Sequence, residues 1–419
     1  MRVKVPRATY LLISMRAMRS LSICLPSLYV LCIMVMEKQH FETPVLGRPA
    51  VISEVDVDTV DCRNTDLRVE EIQVHVIGWK RPRPTKSLLE QLEKSDYAGW
   101  NTLVPLYIHL DGGADEEVIT ISEEFHWTHG EKQLDIRPKN VGLREMWLSS
   151  LGSAAKSAGE NTLMIIFEDD MSTSSDYFQW ILSVVDAYGR NKGCRDSNLV
   201  GFSLSPIRVD EMTKPPFKRW DARQTIGKDL AYLSIVPSSW GAAYWSDRWN
   251  EFMEFVNVRV EPPYYDMNAE ENLAGMQYDD LKLTPKELYL PDARSNVWPK
   301  SWKRFMVDWM YVRGLVMLYP NLPEEMALAT TMALAGEHVG ASTKNNPRVS
   351  ELIVSFDRLT GTVLLPEYRD LVVLDLHNNP TTFEELALSG TKFLKHVQAS
   401  CLYCNDLLRV WASDVNALL

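Results

Sequence analysis

Three consecutive carboxylates, Glu168, Asp169 and Asp170, follow the apolar run LMIIF in the segment NTLMIIFEDDMSTSSDYF. Adjacent carboxylates repel one another, and when they are shielded from water their ionisation is costly unless a cation offsets the charge. A divalent cation would supply that offset, and oxygen ligands suit magnesium or manganese better than zinc. The alternative is a solvated acidic loop, so the surrounding elements have to decide between the two.

The elements before this acidic triplet are predicted to form a parallel sheet covered by helices. Residues 72–78 alternate and are rich in Val and Ile, and residues 104–110 are a second apolar run, so both are typical of strands. Between them, Leu88, Leu89 and Leu92 share one face of a predicted helix. Strands and helices alternate up to the triplet, which predicts an α/β fold with a mostly parallel sheet flanked by helices.

The carboxyl ends of these strands are the expected ligand site, because parallel sheets bind ligands at that edge. Lys80 and Arg81 follow the first strand, Asp111 follows the second, and the triplet follows the third. We therefore expect these side chains to lie close together. Two alternatives remain: Asp111 precedes two glycines and would open a tight turn, and the two basic residues would be solvated loop charges.

Several motifs in a fixed order resemble the GT-A glycosyltransferases, and within them N-acetylglucosaminyltransferase I and the related family-2-like enzymes. The motifs lie between residues 72 and 338 and are VIGWKRP, LDGG, KNVGL, FEDDMSTSSDYF, SSWGAAYWSDRWNEF and RSNVWPKSWKRFMVDWMYVRGLVMLYPNL. The resemblance implies a Rossmann-like GT-A fold, a nucleotide-sugar donor, a manganese or magnesium ion, and sugar transfer to an acceptor hydroxyl. A cation that bridges a diphosphate leaving group stabilises the charge that develops there.

The resemblance also implies roles for the residues at the sheet edge. Asp170 corresponds to the carboxylate that touches the metal, and Glu168 and Asp169 would face the ribose or metal-bound water. Asp111 would lie near the nucleotide base and ribose. The basic loop after the first strand would approach the nucleotide as well.

An inverting transferase also needs a general base that takes the proton of the acceptor hydroxyl. Asp308, in WKRFMVDWM, resembles the carboxylate that this branch places in a tryptophan-rich segment, and its apolar neighbours would raise the pKa of its carboxyl. The alternative for Asp308 is an ordinary exposed acid on an amphipathic helix over residues 302–317. Asp292, in LPDARSNVW, is the second candidate base.

Trp240, Gly241 and His338 complete the candidate site. Aromatic faces stack on sugars and a glycine permits close approach, so we expect Trp240 and Gly241 to contact the nucleotide sugar or the acceptor. Trp245 and Trp249 lie at helical spacing and are predicted to belong to the core. His338 lies between glycines in AGEHVG and is a candidate metal ligand or phosphate contact; the alternative is a loop histidine bonded to backbone.

The organisation of the chain predicts a membrane-anchored enzyme. Residues 1–19 are basic and residues 20–36 are an uncharged apolar run, so we expect a single-pass type II signal anchor with a cytoplasmic N-terminus. A cleavable signal peptide is the alternative. Residues 37–70 are predicted to be a stem, residues 71–345 the GT-A domain, and residues 346–419 a C-terminal α/β extension. The body would then face the lumen of the Golgi or the endoplasmic reticulum.

The net charge of the chain limits the classes of partner, and its cysteines bear on the compartment. The formal net charge of -12 and the pI near 5.3 argue against nucleic acid as a partner. The expected partners are those that the resemblance implies, a nucleotide-sugar donor and a glycan or glycoprotein acceptor, together with the membrane at the predicted anchor. Cys62, Cys194, Cys401 and Cys404 allow one or two disulfides in an oxidising lumen.

Two other functions remain open at this point. A nucleotidyltransferase also uses a parallel sheet and metal-bound acids, although VIGWKRPRP lacks the glycine-rich basic signature that such enzymes usually carry at the first strand. A non-catalytic sugar-binding or scaffolding protein with the same fold is the other.

Overall fold

The computed structural model describes residues 69–189, 195–213, 219–260, 295, 301–332, 334, 350–353 and 365–400, with side chains except at 258–260 and 396–400. All of these residues belong to the unit Val60–Leu419. The predicted anchor, almost all of the predicted stem, Asp292, His338 and the six cysteines lie outside the described residues. Within the described part of the chain, every helix is too short or too polar to cross a bilayer.

The first half of the sheet consists of parallel strands that alternate with helices. The elements are β1 (Glu71–Gly78), α1 (Pro82–Glu93), β2 (Leu106–Leu110), α2 (Glu116–Glu124), β3 (Lys132–Ile136), α3 (Gly142–Ser157) and β4 (Thr162–Glu168). Strand β1 pairs in parallel with β2 and β4, and β2 pairs in parallel with β3. Strands β1 and β4 are buried along almost their whole length, which explains their nearly continuous apolar sequences.

The second half adds shorter strands and longer connections. Its elements are β5 (Met171–Thr173), α4 (Tyr177–Tyr188), β6 (Leu199–Ser203), α5 (Ala222–Ile226), β7 (Ala231–Ser234), β8 (Ala242–Trp245), α6 (Ser246–Val260), α7 (Lys303–Arg313), β9 (Val316–Pro320), β10 (Ala329–Thr331), β11 (Val373–Leu374), β12 (Pro380–Thr381) and α8 (Phe383–Ser400). The helix predicted over residues 302–317 is therefore wrong at its end. Gly314 adopts a φ of 62°, which ends the helix and lets β9 begin at Val316.

Ten of the twelve described strands form one sheet in the order β12-β11-β7-β9-β6-β8-β4-β1-β2-β3. Strands β1 to β4, β6, β9 and β12 run in one direction, and β7, β8 and β11 run in the other. A separate two-stranded ribbon pairs β5 with β10. The predicted fold class, a mostly parallel α/β sheet flanked by helices, is confirmed.

A tryptophan cluster packs α3, α6 and the segment before α7 together. The ring of Trp302 stacks on that of Trp147 at 4.3 Å between centroids and lies 5.6 Å from that of Trp249. Trp245 and Trp249 are fully buried, which confirms that they belong to the core. This cluster helps to fix α3, whose position matters for the site described below.

The described part of the predicted C-terminal extension continues the main sheet. Strand β11 pairs in parallel with β7, and β12 pairs with β11. Helix α8 packs against α7 so closely that a Cβ on Gly390 would lie 2.3 Å from the carbonyl oxygen of Val312. The buried side chains of residues 365–395 therefore share their core with the rest of this unit.

Candidate functional site

The acidic triplet lies at the carboxyl edge of the sheet, beside the loop that follows β1. Strands β1 and β4 are neighbours with Ile77 opposite Glu168, so both strands end at the same level. The backbone N–H of Trp79 donates to Oδ2 of Asp169 at 3.1 Å. The loop after β2 joins them, because the N–H of Asp111 donates to the carbonyl oxygen of Gly78. The three predicted strand ends therefore meet.

Arg81 places a guanidinium inside the triplet. Its Nη1 lies 2.5 Å from Oδ1 of Asp169 and 3.2 Å from Oδ2 of Asp170. The exposed fractions of these three side chains are 25%, 7% and 14%, respectively, so the charges interact with little water between them. Lys80 points elsewhere: its Nζ lies 4.2 Å from the centre of the Trp79 ring. The structure thus shows that Arg81 contacts the triplet and Lys80 does not, a difference that the sequence could not show.

Burial makes the ionised triplet costly. It raises the pKa of Glu168 to about 8, and the neighbouring charge of Asp170 adds to this while the N–H of Trp147 opposes it. Burial also raises the pKa of Asp169, although Arg81 and the N–H of Trp79 work against it. For Asp170, burial raises the pKa, Arg81 lowers it and Asp169 raises it further. Perturbed acids that meet at one sheet edge are typical of a functional site.

The donor atoms of the triplet suit a hard divalent cation that is shared with a substrate. Among the described residues, no group of three His, Cys, Asp or Glu side chains could enclose a metal ion. Magnesium-type sites commonly use one or two carboxylates together with substrate phosphates rather than a closed protein cage. Carboxylates whose ionisation is costly therefore fit a cation that arrives with a diphosphate. His338, the other predicted ligand, lies outside the described residues.

Asp111 holds the loop that begins α3. Its Oδ1 accepts hydrogen bonds from the N–H groups of Gly112 at 2.7 Å and Val141 at 2.8 Å, and its Oδ2 accepts one from Gly142 at 2.9 Å. Because Gly142 is the first residue of α3, this buried carboxylate takes the place of a helix cap. Three of its roughly four acceptor positions are used. Contact with a nucleotide stays a prediction for Asp111.

Helix α3 in turn carries Trp147, a site residue that the sequence analysis missed. Its indole N–H donates to Oε1 of Glu168 at 3.1 Å, and its ring stacks on Trp302. In the sequence Trp147 is one apolar residue in a helix, and nothing in its spacing from Glu168 indicates a bond between them. Only the packing of α3 against β4 brings the two together.

Trp79 is the second residue that the sequence analysis missed. Its side chain is 40% exposed at the sheet edge, although it is a large aromatic residue. Its Nε1–H donates to the carbonyl oxygen of Gly112 at 3.1 Å, which fixes the indole between the loops after β1 and β2. A signal was present in VIGWKRP, where an aromatic residue directly follows a strand end and precedes two basic ones.

Gly241 and Trp240 lie before β8, at the same edge of the sheet. Gly241 has a φ of 60°, and a Cβ there would lie 2.8 Å from the Cβ of Ala329 in β10. A side chain at this position would therefore displace the ribbon that starts directly after the triplet. Trp240 is partly buried and lines a cleft together with Arg208, Lys303 and Tyr319. Contact of both residues with a sugar stays a prediction.

Asp308 is fully buried in α7, so the alternative of an exposed acid is wrong. The side chain follows Val307 and precedes Trp309, and both of these belong to the core. A general base has to reach the hydroxyl that it deprotonates. The structure gives Asp308 no access to solvent, so a role as base requires the surrounding segments to open. Asp292 lies outside the described residues.

No protein-family model matches the chain, and no curated protein is similar to it in sequence. Among solved structures, S. aureus TarS 1-349 in complex with UDP matches at 13% identity and a TM-score of 0.33, over 59% of this chain and 60% of that one. GalNAc-T7 with UDP, GalNAc and Mn²⁺ matches at 11% identity and a TM-score of 0.35, over 61% of this chain and 46% of that one.

A third structure is the mannosyltransferase PcManGT from Pyrobaculum calidifontis in complex with GDP-Man and Mn²⁺. It matches at 13% identity and a TM-score of 0.29, over 49% of this chain and 53% of that one. Each of these three matches covers less than two thirds of the length of the other chain. All three are glycosyltransferases of the GT-A type, the class that the sequence resembles. At such identities and TM-scores the similarity assigns no activity, so the functional argument depends on the site.

Proposed function

We propose that this protein is a metal-dependent glycosyltransferase that moves a sugar from a nucleoside-diphosphate donor to a hydroxyl of a glycan or glycoprotein. The observation that supports it best is the buried triplet at the carboxyl edge of the sheet, with an arginine between Asp169 and Asp170. A site that gathers acidic and basic groups in low-dielectric surroundings suits a substrate that is itself a metal–diphosphate complex.

The three side chains of the triplet would have different roles. Asp170 would hold the manganese or magnesium ion, which, when bound, neutralises the departing diphosphate. Asp169 is oriented by the N–H of Trp79 and by Arg81, and would face the ribose or metal-bound water. Glu168 is oriented by Trp147 and would likewise face the ribose or metal-bound water.

The remaining parts of the proposal concern the acceptor and the compartment. We propose an inverting reaction in which Asp308, after an opening of its surroundings, or Asp292 takes the proton of the acceptor hydroxyl. The predicted anchor at residues 20–36 would hold the protein in the Golgi or endoplasmic reticulum membrane with this domain in the lumen. The formal net charge of -12 and the pI near 5.3 argue against a nucleic acid as the acceptor.

The test is donor cleavage by the purified protein. The protein is incubated with Mn²⁺, glycan acceptors and a panel of UDP- and GDP-sugars, and the released nucleotide is measured. Release of nucleoside diphosphate from one donor supports the proposal. A nucleotidyltransferase would instead release pyrophosphate from UTP or GTP when a sugar 1-phosphate is supplied, which a parallel incubation measures. Release from neither the nucleotide sugars nor the nucleoside triphosphates would favour a sugar-binding scaffold.

A matched pair of variants makes the test specific to the triplet. Asp170→Asn should abolish nucleotide release, since it removes the charged metal ligand and keeps the side-chain shape. Asp186→Asn makes the same change at an exposed position of α4 and should leave release unchanged. Equal turnover in both variants would refute the role of Asp170.

A further inference from the structure

The triplet already holds a positive charge that belongs to the protein. The Arg81 guanidinium lies 2.5 Å from Asp169 and 3.2 Å from Asp170, so one nitrogen, Nη1, serves both carboxylates. The contact with Asp169 is a short charge-assisted hydrogen bond. The contact with Asp170 is longer and is the weaker of the two. A divalent cation at Asp170 would therefore have to share its ligand with a guanidinium or displace it.

The backbone of Arg81 is fixed, whereas its side chain can move. Its carbonyl oxygen accepts hydrogen bonds from the N–H of Thr85 at 3.0 Å and from the hydroxyl of Thr85 at 2.8 Å, at the start of α1. Pro82, the first residue of that helix, restricts the chain further. The side chain is a quarter exposed, on a stem with several rotatable bonds. A rotation about these bonds would carry the guanidinium away from Asp170 without any backbone movement.

We propose that Arg81 is a resident counter-cation that competes with the divalent cation for Asp170 and turns to the donor diphosphate when that cation binds. The inference rests on the proposed function and concerns how the same site is regulated. Arginine suits both the contact with Asp170 and the contact with a diphosphate, because its planar guanidinium matches the geometry of carboxylates and of phosphates. Two cations that share one carboxylate repel one another in a partly buried site, and a bound diphosphate would relieve this repulsion by offering further anionic oxygens to both.

The consequence is a fixed coupling between cation and donor. Without a diphosphate, Arg81 weakens the binding of Mn²⁺, because the ion has to displace a guanidinium from its contact with Asp170. With a diphosphate bound, the guanidinium gains phosphate oxygens and releases Asp170. Since binding free energies are reciprocal, the donor should tighten Mn²⁺ by the same factor by which Mn²⁺ tightens the donor.

The experiment measures Mn²⁺ binding to the full-length chain directly, by calorimetry or from the electron paramagnetic resonance of the free ion. Arg81→Gln removes the guanidinium and should bind Mn²⁺ alone about tenfold more tightly than the unaltered chain, or better. Arg83→Gln makes the same change of net charge two residues away, at an exposed position of α1, and should alter the affinity less than about twofold. Equal or weaker Mn²⁺ binding by Arg81→Gln would overturn the proposal.

Repeating the titration with UDP or GDP, corrected by a blank without protein, measures the coupling. The nucleotide should tighten Mn²⁺ in the unaltered chain and in Arg83→Gln, and it should do so much less in Arg81→Gln. Arg81→Lys restores a point charge and should return the weak affinity for Mn²⁺ alone. It also keeps the test decisive if Arg81→Gln does not fold: Mn²⁺ binding tenfold tighter in Arg81→Lys than in the unaltered chain would contradict competition by charge.

The failure of this inference is distinguishable from the failure of the proposed function. If the unaltered chain cleaves a donor but Arg81→Gln binds Mn²⁺ with the same affinity as the unaltered chain, the proposed transferase function stands and the counter-cation role of Arg81 is refuted. If Arg81→Gln binds Mn²⁺ more tightly but the unaltered chain cleaves no nucleotide sugar, the counter-cation role stands and the proposed transferase function is refuted.

Discussion

Replacing Asp111 should destabilise the protein through the loop that begins α3. The carboxylate accepts three backbone N–H groups at 2.7, 2.8 and 2.9 Å, and it is almost wholly buried. A buried donor that loses its partner costs about 1–3 kcal/mol. Asp111→Ala orphans three, and water that enters the gap will satisfy part of them, so we expect a loss of about 3–6 kcal/mol in the free energy of unfolding.

Asp111→Asn is the sharper version of the same experiment. The amide oxygen can keep the two bonds that Oδ1 accepts from Gly112 and Val141. The amide NH₂ then faces the N–H of Gly142, so one bond becomes a contact between two donors. The expected loss is about 1–3 kcal/mol, clearly smaller than that of the alanine variant.

The assay is urea unfolding followed by tryptophan fluorescence, with Asp115→Asn as control. Asp115 lies in the same loop but is exposed, and the variant should stay within about 0.5 kcal/mol of the unaltered protein. Should both Asp111 variants also stay within that margin, the capping role argued here would be refuted. A loss of UDP affinity in Asp111→Asn that persists far below its unfolding transition would support the predicted nucleotide contact as well.

Two further predictions concern Glu168 and its hydrogen-bond partner Trp147. Burial holds the pKa of Glu168 near 8, above its unfolded value of about 4.3, so its proton is bound more tightly in the folded state. Without a divalent cation, stability should fall as the pH rises from about 4.5 to 8; in Glu168→Gln this decline should be reduced, and parallel thermal-unfolding profiles of the two proteins in EDTA would contradict the argument. Trp147→Phe keeps a ring stacked on Trp302 but removes the N–H that Glu168 accepts. Because this leaves a buried acceptor without its donor, we expect a loss of about 1–3 kcal/mol in stability and a further rise of the pKa of Glu168, measurable by its pH profile. An unchanged pH profile would show that this hydrogen bond is of no consequence.

The parts of the fold that the sequence predicts well are those whose burial is continuous. Strands β1 and β4 are buried on both faces, so their sequences are apolar from end to end and could be recognised without a structure. Strand β3 escaped prediction because it lies at the sheet edge and alternates partly buried with exposed residues. Helix α2 escaped as well, since only Val118 and Ser122 of its residues are buried and no apolar stripe marks it.

The sequence by itself determined which chemistry could be present: a carboxylate triplet after a buried strand, and basic and acidic residues after its neighbours. Strand ends in a parallel sheet share one edge, so the meeting of these groups follows from local patterns and topology. Only the tertiary structure decided what each side chain does there. Arg81 rather than Lys80 enters the triplet, Asp111 caps α3, and Trp147 reaches Glu168, because side-chain direction depends on how helices pack on the sheet and not on spacing along the chain.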